Sequence, residues 1–521
     1  MSDRRLRVIQ RGAEGGEDEL VAVLDRTVRV TLPSDTPALR HQLLALALVD
    51  LLGRLFPAIE VVCAEDAEAD PGLPEGEPLL LARLEAVRRH GGEPKQAEGE
   101  PAVTVAVGPG AVDGADVYAD ARGWQSYVGS QPSRLPPDDS SDVPIGPLIA
   151  ACRAANQVFQ LMLGDRLAQP THPVESSYAS ALTYESGEAP FDDPELPPPT
   201  RGDAVLVGAG SIGGAAVYLL ARVAGLTGEI DVVDDDVLAE HNPDRAILAT
   251  DTLAKQGAAK VAVALAALAH LAGLKARPHQ ERFETFVGSR PRSAPLPTVL
   301  SAVDSVSSRR EIQDAVPLEV IDAACGLEQI SCSGHRTNNG PCVYCLHVGN
   351  VLDAQRIRYR LIAEATGFAE SVVIPLLVQE TPLTEQHLRA IEAYRREHGE
   401  TIPVGAFDSY RGRTLETLYR EKFLYGEALV TTEGGGQAAV AAPFVTAVAG
   451  FLLASEALKA AAGPDYAPYR LGPTGRATMY RENPWGSPTN ALLLNPPRWP
   501  THECLCRSPL RLRILAELYG L

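Results

Sequence analysis

Ala204-Val205-Leu206-Val207-Gly208-Ala209-Gly210-Ser211-Ile212-Gly213 is the stretch that decides how this chain folds. The apolar run Ala204–Val207 leads straight into a glycine-rich turn. An apolar, small-residue run follows, so the pattern predicts a strand, a tight turn and a helix over Gly214–Ala224. Glycine lets the backbone turn sharply and approach a phosphate closely. The helix N-terminus behind the turn offers unpaired N–H groups and a partial positive charge. Ile230–Val233 predicts the next strand. It ends in Asp234, 21 residues after Gly213, which suits a carboxylate gripping ribose hydroxyls. To this point NAD, FAD or ATP would fit equally, and a plain structural turn carries the same glycines.

The next residues narrow the choice. Asp234-Asp235-Asp236-Val237 leads to His241-Asn242-Pro243-Asp244-Arg245 and then to Gly257-Ala258-Ala259-Lys260. The ordered set resembles the D-x-D-x-V, S-N-x-x-R and G-x-x-K pieces of E1-like (ThiF-type) adenylyltransferases, with His241 where that family usually has Ser. The resemblance implies that ATP is held by Gly208, Gly210, Gly213, Asp234, Asp236, Asn242, Arg245 and Lys260. A carboxylate attacking the α-phosphate builds charge on phosphoryl oxygens and on departing pyrophosphate, and preorganised cations stabilise it. Arg245 and Lys260 would supply those cations. A dinucleotide oxidoreductase has no need of them at this spacing. Either residue alone reads as a solvated helix charge.

Leu300-Ser301-Ala302-Val303-Asp304 predicts a further strand ending in an acid, continued by Ser305-Val306-Ser307-Ser308-Arg309-Arg310. This is similar to the family's D-N-x-x-x-R segment. It implies Asp304 as the Mg²⁺ holder and Arg309 at the Arg position, with Ser305 replacing Asn. The competing reading makes Asp304 the N-cap of a helix over Ser305–Asp314.

Gly340-Pro341-Cys342-Val343-Tyr344-Cys345 and Cys504-Leu505-Cys506 form two close cysteine pairs. Four thiolates suit a closed tetrahedral Zn²⁺ site, structural because no position is left for water. His347 and His502 are alternative ligands. The family often carries zinc at such a place.

Many E1-like enzymes pass the acyl group to a cysteine before a late apolar helix. Here Thr431–Ala438 has none, nor does Leu346–Glu503. Among the other cysteines, Cys63 and Cys152 sit in apolar runs and read as core. Cys332, in the polar segment Ser331–His335 with His335 to lower its pKa, is the first candidate acyl acceptor, and Cys325 the second. The competing reading for both is an ordinary thiol. Direct transfer from the adenylate to an external nucleophile needs neither.

The 521 residues are 45% apolar and 22% charged, with a formal net charge of −20. That composition fits a soluble globular protein. An acidic surface disfavours nucleic acid and anionic lipid as partners. Met1–Gly12 has no apolar signal region. The longest apolar run, Ala438–Ala454, is interrupted by Pro443 and reads as a buried helix. A cytoplasmic location is expected.

The fold class expected is α/β: a Rossmann-like parallel or mixed sheet with helices on both faces, preceded by a smaller α/β domain. Residues 1–185 form that first domain, 186–203 a Pro-rich linker, and 204–521 the adenylation domain with a helical insertion at about 351–430. In the first domain Val21–Val30, Ile59–Cys63, Ala102–Val107 and Val117–Ala119 predict strands. Pro37–Phe56, Leu79–Arg89 and Ile145–Leu163 predict helices. Gly108-Pro109-Gly110 follows a strand, but Pro109 lacks the N–H a phosphate cradle would use. The segment Asp116–Trp124, with the helix after Pro144, resembles the inactive adenylation-like domain fused ahead of the active one in E1 proteins of bacterial ubiquitin-like conjugation operons. That resemblance implies a homodimer or internal pseudo-dimer, with Arg122 a possible donor across the interface. It also implies a ubiquitin-like protein or peptide with C-terminal Gly as substrate, and an E2-like partner. Peptide or small-carboxylate adenylation in natural-product or cofactor biosynthesis, and a non-catalytic scaffold, are the alternatives.

Overall fold

The structure is a computed structural model. It describes residues 17–520 except 34–36, 75, 98, 110–111, 137–142, 168–175, 292–293, 327–328, 337–339, 349–358, 360–361, 364, 398–403, 424–426, 432–436, 473–474, 498–505 and 507.

The first half opens with helix α1 (Glu17–Leu24), where the alternation over Val21–Val30 predicted only strand. Strand begins at β1 (Val28–Thr31). Helix α2 (Leu39–Leu55), β2 (Ile59–Val62), α3 (Leu80–Val87), β3 (Val103–Val107), β4 (Val117–Arg122), β5 (Gln125–Gly129), α4 (Ile145–Leu163), β6 (Ser176–Ser180) and β7 (Ser186–Gly187) follow. Their sheet runs β2-β1-β3-β4-β5-β6-β7. Strands β2, β1, β3 and β4 are parallel, and the rest are antiparallel.

The second half contains β8 (Ala204–Val207), α5 (Ser211–Leu220), β9 (Gly228–Val233), α6 (Lys260–Leu268), β10 (Leu274–His279), β11 (Thr298–Ser301), α7 (Val306–Asp314), β12 (Glu319–Cys325) and β13 (Ile330–Arg336). After these come α8 (Val343–Val348), α9 (Glu370–Val378), α10 (Glu385–Glu397), α11 (Leu415–Phe423) and the hairpin β14 (Glu427–Thr431) and β15 (Gln437–Ala441). Helix α12 (Pro443–Ala461), β16 (Met479–Glu482), β17 (Leu492–Leu494) and α13 (Pro509–Tyr519) complete it. The second sheet runs β10-β9-β8-β11-β12-β13-β16-β17. Its first five strands are parallel and its last three antiparallel. The expected mixed α/β class is correct. Apart from the additional edge strand β10, the two sheets share one topology: the parallel block β2-β1-β3-β4 corresponds to β9-β8-β11-β12, and each is followed by three antiparallel strands.

One hydrophobic core runs through both halves. Helices α2 and α4 meet α5 and α12 along a common seam. Helix α12 is buried on every side from Pro443 to Lys459, and its residues are apolar apart from Thr446, Ser455, Glu456 and Lys459. It is long and apolar enough to cross a membrane, yet 89% of its apolar window is buried inside the protein. Gly450 fixes its approach to α5: a Cβ there would lie 2.2 Å from the Ile212 carbonyl oxygen. Across the same seam the α12 pair Lys459–Glu456 (2.7 Å) is fully buried. Lys459 Nζ also donates to the Leu182 carbonyl (3.1 Å), and Tyr184 donates its O–H to Glu456 (2.6 Å). The stretch between the sheets is tied down as well: Tyr466 O–H donates to the Pro197 carbonyl at 2.6 Å. Helices α9 to α11 enclose a separate small core that includes Leu376, Leu388, Ile391 and Leu418.

Candidate adenylation site

The parallel strands β8, β9, β11 and β12 place their C-terminal ends along one edge, where open α/β sheets bind ligands. The turn Gly208–Gly213 leaves β8 at that edge. Gly208 takes φ +91°, and a Cβ there would lie 2.7 Å from the Ala302 carbonyl oxygen. At Gly213 a Cβ would lie 1.8 Å from the Gly208 carbonyl oxygen, an impossible overlap. Gly210 differs: apart from its two chain neighbours, no atom of the described residues would lie within 4 Å of a Cβ on it. The turn's own packing therefore requires the outer two glycines, while Gly210 faces open space beside the start of α5. No side chain caps that helix. Its first-turn N–H groups and this uncrowded glycine fit a phosphate cradle.

Asp234 is half-buried and braces the turn: its carboxylate accepts from the Ala209 N–H (2.6 Å) and the Asp236 N–H (2.9 Å). Burial pushes its pKa up, while the Lys260 charge and the two amides oppose that shift. Asp234 therefore shapes the loop, beyond the ribose role expected of it. Lys260 opens α6, and its ammonium pairs with Asp236 at 2.6 Å. The lysine side chain is 14% exposed and the aspartate 67%. A phosphate arriving at this edge would compete with Asp236 for the ammonium.

Asn242 and Arg245 flank a 3-10 turn, Asn242–Asp244. Asn242 Oδ1 accepts from the Ala239 N–H at 2.7 Å. Arg245 is buried, and its carbonyl accepts from Thr446 Oγ1 on α12 at 2.9 Å. Its charge is felt at Cys325, at the C-terminal end of β12. Asp304 is exposed just beyond β11 and is spared the competing role: Ser305 is the N-cap of α7, its hydroxyl accepting from the Ser308 N–H at 3.0 Å. Arg309 differs from expectation. It is buried and paired with Asp322 on β12 (2.9 Å), which also accepts from Ser301 Oγ (2.6 Å). It ties α7 to the sheet instead of reaching for phosphate.

Cys332 is corrected as an acyl-acceptor candidate. Its polar segment is strand β13, between β12 and β16. The thiol is fully buried, and that burial, with Glu456 and Asp322 nearby, raises its pKa well above the usual thiol value. His335, three residues along the strand, projects from the opposite face. Cys325 is half-buried at the site edge. Burial pushes its pKa up to about 11 despite Arg309 and Arg245. Neither cysteine is a thiolate near neutral pH. Arg122, at the end of β4, is turned into a hairpin opposite Gln125. Residues 432–436, part of the cysteine-free stretch Thr431–Ala438, lie outside the described residues.

Cys342, Cys345 and Cys506 are buried together, with Sγ separations of 3.6 Å (342–345) and 3.5 Å (345–506). Zinc–sulfur bonds of about 2.3 Å in a tetrahedron put sulfurs about 3.8 Å apart, so the three thiols fit such an ion. Cys504 and His502 lie outside the described residues, as does the side chain of His347.

Residues 200–484 match the ThiF family, and residues 28–174 match the BilD N-terminal domain. This chain belongs to the ThiF family of E1-like adenylyltransferases. An uncharacterized protein of Sinorhizobium fredii (strain NBRC 101917 / NGR234), y4jF, is 26% identical over 376 residues, which are 71% of this chain and 69% of that protein. Among solved structures, E. coli MccB is 18% identical over 27% of this chain and 40% of that one, with a TM-score of 0.24. E. coli MccB with AMPCPP and SeMeT MccA is 17% identical over 30% and 48%, with a TM-score of 0.25. The matched part thus spans less than half the length of those solved chains.

Sequence reasoning missed Asp322 and Ser301, which fix Arg309, and Arg54 of α2. Asp50 and Arg54 stand four residues apart in an otherwise leucine-rich helix, and that signal was available.

Proposed function

We propose that this ThiF-family chain activates a carboxylate by adenylation at the C-terminal edge of β8, β9 and β11. The single observation behind the reading is Gly210, a glycine that no described neighbour crowds, at the uncapped start of α5, with the Lys260 charge acting on Asp234, which braces the same turn. The triphosphate would lie across the Gly208–Gly213 turn. The substrate carboxylate oxygen attacks the α-phosphorus, forming a P–O bond. The bond to the β-phosphate oxygen breaks, and its electron pair leaves with pyrophosphate. Lys260, drawn from Asp236, and Arg245 stabilise the charge that develops. Asp304 would hold Mg²⁺, which when bound neutralises triphosphate oxygens. The second sheet has the glycine turn. In the first, the residues from the end of β1 to Leu52 contain no glycine, and the His41 ring crowds Gly108, so we assign nucleotide binding to the second half alone. The two halves would serve as an internal pair.

The substrate proposed is the C-terminal carboxylate of a ubiquitin-like protein ending in Gly. Its support is the resemblance of the two-domain chain to operon-encoded E1 proteins. A small helical unit also presents Ile374 and Val378, both exposed and four residues apart on one helix face, which suits contact with a protein more than with a metabolite. With both candidate cysteines held as neutral thiols, the adenylate would pass directly to an external nucleophile, such as an E2-like cysteine. The test is exchange of labelled pyrophosphate into ATP. We expect exchange only when a Gly-terminated ubiquitin-like protein is present, and a loss of at least about 100-fold in Lys260→Ala. Exchange without any carboxylate partner, or full exchange in Lys260→Ala, would contradict the assignment.

A further inference from the structure

Arg54 lies at the C-terminal end of α2, in the half without a glycine turn, and is fully buried. Its guanidinium reaches into the other half. Nη1 donates to the carbonyls of Pro243 (2.5 Å), Ala246 (2.9 Å) and Ala249 (2.8 Å), and Nη2 to that of Ile247 (2.7 Å). Nε donates to Asp50 Oδ1 at 2.9 Å. Asp50 is held in turn by His90 (3.1 Å), whose carbonyl accepts from the Asp251 N–H. The Arg54 charge keeps the buried Asp50 carboxyl below the usual carboxylate range, offsetting desolvation.

The four carbonyls belong to the loop that follows Asn242 and contains Arg245. Four carbonyl dipoles converging on one point repel one another unless a cation sits among them. The loop conformation therefore depends on a charge supplied by the first half. A planar five-donor fork can span these acceptors and Asp50 together, whereas an ammonium, with three hydrogens on one atom, cannot. On its other side the loop is fixed by Thr446 on α12. Arg245 is thus held between an anchor from its own half and one from the half with no nucleotide turn.

We propose that Arg54 is a positioning residue for the nucleotide site: the first half sets the aim of Arg245 and Asn242 by clamping the backbone of the 243–249 loop. This rests on the reading above that these two residues meet ATP. It gives the first half a defined part in the reaction without binding nucleotide itself.

The experiment compares full-length wild type with Arg54→Lys and Arg54→Gln. Hydrogen exchange of residues 243–250 reads the clamp without any activity, and pyrophosphate exchange separates KM for ATP from KM for the carboxylate partner. We expect faster exchange confined to 243–250 and a KM for ATP raised about 10- to 100-fold, with the partner's KM unchanged. Unaltered hydrogen exchange in the loop, or activity lost only in proportion to unfolding, would overturn the proposal. If the Arg54 variants do not fold, Asp50→Asn keeps Arg54 but loosens its grip, and the same two readouts decide with the same signs. If the wild type shows no pyrophosphate exchange, the adenylation reading fails. The clamp is then judged by loop hydrogen exchange and by AMPCPP affinity, and unchanged values of both would overturn it.

Discussion

Gly208, Gly210 and Gly213 look alike in sequence and do different things. Gly208 and Gly213 are fixed by the turn's own packing, whereas Gly210 has open space ahead of it. Gly213→Ala should therefore fail to fold or melt far lower, because its Cβ would overlap a carbonyl oxygen. Gly210→Ala should keep the wild-type melting temperature and lose ATP affinity by about tenfold or more, since a methyl group would stand where phosphate approaches. Thermal melting with titration of ATP checks both, and a Gly210→Ala protein that binds ATP normally would remove the cradle from the account. The residues legible in sequence were those in local motifs: the glycine turn, Asp234, Lys260 and Asn242-to-Arg245. Partnerships made over long distances in sequence were not legible. Arg309 carried the right spacing for a phosphate ligand, but the acid that captures it, Asp322, stands on the strand after its helix, and only the packing of α7 on β12 brings the two together. Arg54 finds its partners 189 to 195 positions away.

Among the elements, the close cysteine pairs were readable as a metal motif. That Cys506 returns to Cys345 at 3.5 Å is a tertiary fact. Helix α13 follows directly. It is tied to α7 by Arg511–Asp314 (2.6 Å), and the Tyr519 hydroxyl lies 3.0 Å from both the Leu296 and Val316 carbonyl oxygens, sharing its one hydrogen between the segments that lead into β11 and β12. Zinc would fasten the start of that tail. We expect about one zinc per chain by elemental analysis. Cys506→Ser should lower zinc content and melting temperature together and expose α13 to proteolysis. A metal-free protein of unchanged stability would show the thiols to be plain core. Strand β13 was not legible, because Ser331, Ser333 and His335 are polar in sequence; they share one face of the strand and all three are buried. At Gly334 a Cβ would lie 2.1 Å from the Leu471 carbonyl oxygen, so this glycine serves close packing within a strand, not a turn. Helix α1 was misread as strand because a short apolar alternation fits either period.

At the scale of the molecule, two sheets of shared topology pack through α2, α4, α5 and α12 into one core. The sequence suggested two domains and a Pro-rich connection but could not reveal the seam, because the seam is built from helices whose apolar faces read only as buried. Buried polar contacts cross it, Arg54 toward the nucleotide loop and Lys459 toward Leu182, and each makes one half part of the other's structure. The central claim is that a carboxylate attacks the α-phosphate at the β8–α5 turn. It is tested most directly by incubating the protein with ATP and a Gly-terminated ubiquitin-like protein whose terminal carboxylate carries ¹⁸O, transferring the acyl group to a thiol, and weighing the released AMP. With both carboxylate oxygens labelled, we expect AMP carrying one ¹⁸O atom. Unlabelled AMP, or ADP with labelled inorganic phosphate, would contradict it.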